Sequence, residues 1–250
     1  MLTDTHCHIH EANYPLDIAD TLTRAHQAGV DRLICVGTDN HTSAEAVRFA
    51  QNHEDVWASV GAHPHDATDG FEAVARLVRE ASPKVVAIGE VGLDYFYTHS
   101  PRQTQLSVLE AQLQLALDYT LPVIFHVREA FEDFWPVFDN FSTIKGELHS
   151  FTDSAANLEK ALRRGLYVGV NGISVFTKDE AQQAVFDQIP LEKLLLETDA
   201  PFLTPPPHRG KVNEPAYVRH VAEYHAKRRG VELEHLARAT SANATTLFSL

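Results

Sequence analysis

The sequence predicts an α/β fold, a (β/α)8 TIM barrel built as a single domain over residues 1–250. Three observations carry that expectation. Short β-rich apolar runs alternate with longer amphipathic stretches from one end to the other, which implies a parallel sheet with helical crossovers. Eight such runs can be counted, the number that closes a barrel of this class. The length of 250 residues is one that α/β barrels reach undivided, and no repeat, low-complexity tract or interdomain linker interrupts it.

Taken in order, the strand candidates are Met1–Thr5, Arg32–Val36, Val56–Val60, Val85–Gly89, Val123–His126, Gly146–His149, Tyr167–Val170 and Leu194–Glu197. Helical stretches lie between them. One begins with Thr42-Ser43-Ala44-Glu45, a capping-box pattern. Another carries Leu106, Leu109, Leu113 and Leu117, spaced as one buried helical face requires. The densest loop signal, Thr204-Pro205-Pro206-Pro207-His208-Arg209-Gly210, follows the eighth strand, and Tyr217–Arg229 and Glu232–Leu247 read as terminal helices.

Composition excludes several classes. A hydrophobic fraction of 44% and a charged fraction of 22% are ordinary for a globular protein and argue against disorder. No apolar run approaches the roughly 20 residues of a membrane span, and no basic-then-apolar leader opens the chain. Cys7 and Cys35 are too few for a disulfide framework, so a cytoplasmic, reducing location is expected. A formal charge of −13 is the wrong sign for a broad basic face that grips nucleic acid. Bound divalent cations would supply local positive charge that the composition lacks. No obligate protein partner is implied.

The chemistry gathers at strand ends, where barrels of this type place their active sites. His6 and His8 stand two apart, so in an extended backbone their imidazoles share one face. Glu90 follows the fourth strand, His126 and His149 end the fifth and sixth, and Asp199 follows the eighth. Each alone reads as a capping or loop residue; six together read as metal ligands. Four imidazoles and two carboxylates are too many for one tetrahedral ion, and a structural zinc site is usually thiolate-rich. The set suits two divalent ions about 3.5–4 Å apart, with Glu90 as the bridge. Such a pair lowers the pKa of a bound water, and Asp199 then serves as ligand and general base. A hydrolase follows. Histidine-rich sites favour zinc by affinity, while magnesium or manganese are the alternatives set by availability.

The motifs also carry a resemblance. Asp4-Thr5-His6-Cys7-His8, Gly61-Ala62-His63-Pro64-His65, Gly89-Glu90-Val91-Gly92-Leu93-Asp94-Tyr95 and His126-Val127-Arg128-Glu129-Ala130 resemble those of the TatD family. So do His149-Ser150-Phe151-Thr152, Glu197-Thr198-Asp199-Ala200-Pro201, Asn213-Glu214-Pro215 and the Ala242-Asn243-Ala244-Thr245-Thr246-Leu247-Phe248 ending. The resemblance implies a metal-dependent hydrolase barrel of the amidohydrolase superfamily and supports the same six ligands. It further implies a deoxyribonuclease, acting as a 3′→5′ exonuclease on single-stranded DNA or a 3′ end.

Around the ligands, His63 is expected to orient or neutralise a substrate phosphate, with His65 beside it. Arg128 and Arg209 are candidate phosphate clamps, since guanidinium groups bind phosphate bidentately, and Lys211 is a point charge in the same loop as Arg209. Asp94 and Tyr95 would line the pocket; Tyr95 either stacks on a base or packs in the core. Glu197 is a candidate for holding a ligand histidine by an outer hydrogen bond. His10, His26, His41, His53, His99, His220, His225 and His235 read mostly as surface residues, and His208 stays open. Two other functions compete. One is hydrolysis of a small ester, amide or phosphate compound on the same two-metal barrel, against which Glu90 speaks, because relatives of that kind often bridge their metals with a carboxylated lysine. The other is a metal-dependent binding protein without turnover.

Overall fold

In the computed structural model, which describes residues 1–80, 82–97 and 99–250, strands and helices alternate. They run β1 (Leu2–Cys7), α1 (Ile18–Gln27), β2 (Val30–Val36), α2 (Asn40–Gln51), β3 (Val56–Val60), α3 (Glu72–Arg79), β4 (Val85–Asp94) and α4 (Arg102–Tyr119). There follow β5 (Val123–Arg128), α5 (Phe131–Asp139), β6 (Gly146–Leu148), α6 (Ala155–Arg163), β7 (Tyr167–Val170), α7 (Gly172–Phe176), α8 (Glu180–Asp187), β8 (Leu194–Leu196), α9 (Val218–Arg229) and α10 (Leu233–Phe248). The strand order follows the chain, β1 to β8, as a (β/α)8 barrel requires. The chain divides into two compact units, Met1–Ile34 with Ser150–Leu250, and Cys35–His149.

In the first unit, β7 pairs in parallel with β8, and β8 leads on to β1 through a bridge between Cys7 and Ala200. Asp199 donates its backbone N–H to the His6 carbonyl, and His8 donates to that of Ala200. The residues following β8 are thereby laced onto the end of β1. Helix α10 packs on β1 and β8. His225 of α9 is fully buried, its Nε2 2.9 Å from the Ser174 hydroxyl. His10 is buried as well. Neither is the surface residue expected, because each sits on the inward side of an otherwise polar segment.

In the second unit, β3, β4, β5 and β6 pair in parallel. Phe125 of β5 meets Phe134 and Phe138 of α5 with ring centroids 5.1 and 5.7 Å apart, so the apolar face of α5 is buried on the strand. Helix α4 buries Leu109 and Leu113 as expected, but Leu106 and Leu117 are only half-buried. The buried stripe is completed instead by Gln105 and Gln112.

Helix α2 starts two residues earlier than expected. Asp39 is the capping residue, accepting from His41 and Thr42, while the Thr42 hydroxyl accepts the Asp39 N–H in return. The box expected from Thr42 to Glu45 is replaced by one from Asp39 to Thr42, in which Thr42 is the inner partner and not the cap. The larger difference is β4, which does not stop at Gly89 but runs through to Asp94. Gly92 makes this extension fit: a Cβ there would lie 1.7 Å from the His126 carbonyl oxygen, so only glycine lets β4 press so close to β5. Glu90 therefore stands inside a fully buried strand rather than after one.

Candidate metal centre

Within the first unit, His6, His8 and Asp199 come together. Strand β1 carries His6, and His8 lies just beyond its end on the same face. Their Nε2 atoms are 3.2 Å apart, and each faces Asp199 Oδ1, at 3.8 Å from His6 and 3.4 Å from His8. Ligand atoms about 2.0–2.1 Å from one ion lie roughly 3–3.4 Å from each other, so this triangle has the dimensions of a coordination face. Asp199 is placed by a left-handed backbone (φ 58°), a conformation that aspartate tolerates better than most residues.

The residues behind this triangle hold it rigidly. Asp4 is fully buried and accepts from the Thr198 N–H at 2.8 Å and the Thr198 hydroxyl at 2.6 Å. Burial pushes the Asp4 carboxyl up to about 8. Asn213 donates its amide to the carbonyls of Thr198 and Phe202, bracketing the turn that contains Asp199. Its neighbour Glu214 is gripped by Arg24. These contacts give the Asn213-Glu214-Pro215 motif its physical role, which the sequence alone did not show. Glu197 accepts from the Ser150 N–H and from the Asn171 amide.

Within the second unit, Glu90 Oε1 is the hub. It lies 2.8 Å from His126 Nδ1, 3.6 Å from His63 Nε2 and 3.7 Å from His149 Nε2. His63, Glu90 and His126 offer atoms close enough together to share an ion. The hydrogen bonds separate their roles. His63 Nδ1 accepts the His65 backbone N–H at 3.1 Å, so a neutral ring carries its proton on Nε2. Burial, then the neighbouring His126, pulls His63 well below the ordinary histidine range and keeps the ring neutral. His63 therefore presents an N–H donor beside Glu90, not a lone pair.

His126 is the converse. Its Nε2 donates to Asp94 Oδ2 at 2.9 Å, which leaves Nδ1 to face Glu90. A carboxylate behind a histidine in this way fixes tautomer and ring orientation for a metal. Burial opposes protonation of His126, but the Asp94 and Glu90 hydrogen bonds outweigh it and raise its pKa. Burial likewise opposes ionisation of Asp94, yet hydrogen bonds from His126 and the Tyr97 backbone hold it well below the usual carboxylate range. His65 Nε2 donates to the same Oδ2 at 3.0 Å.

Asp94 thus does more than line a pocket: it orients two histidines, and Gln105 clasps its backbone N–H and carbonyl. Gln112 does the same for Ala62, the residue before His63. Seven residues separate the two glutamines, which places them on one helical face with Leu109 and Leu113. That stripe was the available signal for them.

Of the expected substrate contacts, Arg128 lies over Phe96, its guanidinium carbon 3.9 Å from the ring centroid. Arg209 lies over Phe176 at 3.8 Å and donates to the Thr204 carbonyl. Tyr95 is committed elsewhere, its hydroxyl 2.6 Å from Asp133 and its ring covered by Arg102. His208 stacks on Tyr217 with centroids 4.1 Å apart. No helix among the described residues is long and apolar enough to cross a membrane.

Known proteins are similar to this chain over nearly all of its length. The uncharacterized metal-dependent hydrolase YabD of Bacillus subtilis is 37% identical over all of both chains. The 3′-5′ ssDNA/RNA exonuclease TatD of Citrobacter rodentium is 39% identical over 94% of this chain and 92% of its own. The crystal structure of YjjV, a TatD homologue of Escherichia coli, superposes with a TM-score of 0.93 at 30% identity, covering 100% of this chain and 98% of that one. Residues 3–249 match the family described as TatD related DNase, and the chain belongs to that family.

Proposed function

We propose that this metal-dependent hydrolase shortens single-stranded DNA from its 3′ end, with His6, His8, Glu90, His126, His149 and Asp199 holding two divalent ions and the two units working as one domain. The observation that carries the reading is that each unit assembles imidazole nitrogens around a carboxylate oxygen at ion-sharing distances. His6 and His8 do so about Asp199, and His126 and His149 about Glu90. The donor set fits: nitrogen and carboxylate oxygen ligands without a thiolate suit divalent ions that keep open positions. Bound there, the ions supply charge to oppose the phosphate's and a water acidified toward neutral pH.

The chain's own residues do the rest. Asp199 is positioned to take the proton of the attacking water. His63 offers its Nε2–H to a phosphate oxygen, and its neutrality lets it donate without competing for an ion. His65 sits beside it, already engaged with Asp94. Arg128 and Arg209 meet the flanking phosphates. Magnesium, manganese and zinc are the candidate ions, and a cytoplasmic location is part of the same reading.

The test uses end-labelled single-stranded DNA incubated with metal-stripped protein restored by each of the three ions in turn. A ladder receding from the 3′ end with at least one ion is expected. Hydrolysis of simple esters with DNA left intact would replace the nuclease reading by a small-molecule hydrolase.

A further inference from the structure

Just beyond Asp94, two large aromatic side chains face solvent in the second unit. Phe96 is 48% exposed and Tyr97 42%, among the most exposed large apolar residues of the chain. Burial would hide such rings in an ordinary loop, and Tyr95 beside them is indeed tied down. Their rings stand edge to face, 4.7 Å apart. Arg128 covers one face of Phe96 at 3.9 Å and lies 5.0 Å from Tyr97. Tyr97 is hemmed in further by His65 at 5.3 Å and His99 at 5.8 Å. Phe96 has no second neighbour of that kind among the described residues, so its other face is the open one.

Arg128 is exposed in a protein with 34 acidic residues. Four other exposed arginines meet a carboxylate: Arg102 meets Asp133, Arg163 meets Glu159, Arg228 meets Asp187 and Arg238 meets Glu234. The Arg128 guanidinium has no ion pair or side-chain hydrogen bond among the described residues. Register pairs Arg128 with Asp94 across β4 and β5, yet the Asp94 carboxylate is spent on His126, His65 and the backbone of Phe96 and Tyr97. The arginine is exposed and held against the aromatic rings by stacking.

We infer that Phe96 and Arg128 form a nucleotide platform, in which an unpaired base stacks on the open face of Phe96 while Arg128 binds the phosphate beside it. Aromatic rings accept any unstacked base because every base has a π-face, and an arginine fork matches a phosphate. Tyr97 braces the pair from the side. The platform begins two residues from Asp94 and two from His126, so it would fix a base next to the bond to be cut. Bases within a duplex are already stacked and cannot occupy it. This rests on the nuclease reading for its substrate, and Phe96 rather than Tyr95 is the stacking residue.

The test is binding of labelled oligothymidylate carrying phosphorothioate linkages, compared with an abasic chain of equal length, to metal-loaded protein. Phe96→Ala should weaken oligothymidylate binding about tenfold, the order expected for losing one stacked base, and leave the abasic chain unaffected. Phe96→Trp should restore binding, with the new indole fluorescence quenched by oligothymidylate alone. Arg128→Ala should weaken both ligands and lower the salt slope by about 0.7, one phosphate's worth. Both positions of substitution lie at the surface, and thermal melts confirm folding. Equal losses on the two ligands, or none, for Phe96→Ala would overturn the platform even where DNA is cleaved. Phe96-dependent binding without any cleavage would keep the platform and remove the nuclease. Neither binding nor cleavage by the unaltered protein would remove both.

Discussion

Acidification should expose the cost of burying His225. Its imidazole is fully buried, and burial first, then the positive charge of Arg229, lowers its pKa to about 3. The unfolded chain titrates at the ordinary 6.5. Below pH 6.5 the unfolded state therefore binds a proton that the folded state refuses, and stability falls as pH falls until the folded pKa is reached. Between pH 7 and pH 5 this site alone removes about 2 kcal/mol, from roughly 1.36 kcal/mol per unit over the 1.5 units below 6.5. The figure is insensitive to the folded pKa so long as that stays below about 4. His225→Gln isolates the effect, because its amide still reaches the Ser174 hydroxyl but does not titrate. Urea unfolding of both proteins, in chelator, at pH 7 and pH 5 gives the comparison. The stability advantage of the unaltered protein should shrink by about 2 kcal/mol at the lower pH. A difference between the two proteins that is the same at both pH values would refute the argument.

Three further outcomes bear on the site. Glu90→Ala should lower occupancy of both ions while the far-ultraviolet spectrum is unchanged; elemental analysis showing two ions at full occupancy would contradict its bridging role. His63→Ala should keep its metals and lose turnover on phosphodiesters, and loss of metal alongside activity would make it a ligand after all. Salt dependence of single-strand binding should be shallow, corresponding to about two or three phosphate contacts at roughly 0.7 each, with Arg209→Ala removing close to one. A slope equivalent to about six contacts or more would reveal a basic track along the surface.

The order of strands, and the six residues proposed as metal ligands, were legible because both are written in local sequence. Alternation of apolar runs sets the first, and ligand-type residues at the ends of those runs mark the second. What stayed hidden depends on neighbours distant in the chain. Gly89 reads as the end of a strand, whereas β4 runs on to Asp94 and at Gly92 the missing side chain admits the His126 carbonyl. Asp94 reads as a pocket residue, and only the pairing of β4 with β5 shows it behind His126. His225 reads as a surface histidine because α9 is otherwise rich in charge; its partner Ser174 lies 51 residues away. Tyr95, Phe96 and Tyr97 are indistinguishable as a run of aromatics, and it takes Asp133 and Arg102 to retire the first and leave Phe96 open.

The acidity of the chain and its proposed substrate fit together once the source of affinity is considered. Duplex DNA presents a charge about every 1.7 Å, and a protein with a net charge of −13 repels it at long range. That repulsion acts on single strands too, but less, because their charge is more sparsely arrayed. The two proposed cations, a few guanidinium groups and one stacked base would each act within a few ångströms. They therefore reward a terminus that can enter the site and give nothing to a strand lying across the surface. Selectivity for ends then needs no wall or gate: short-range attraction set against long-range repulsion is enough. Raising salt screens the repulsion more than the contacts at the buried ligands, so internal and duplex binding should gain on end binding as ionic strength rises. Competition between labelled single-stranded ends and circular single-stranded DNA, at low and moderate salt, reads this directly. A preference for ends that grows with salt would show that something other than charge excludes the interior of the strand.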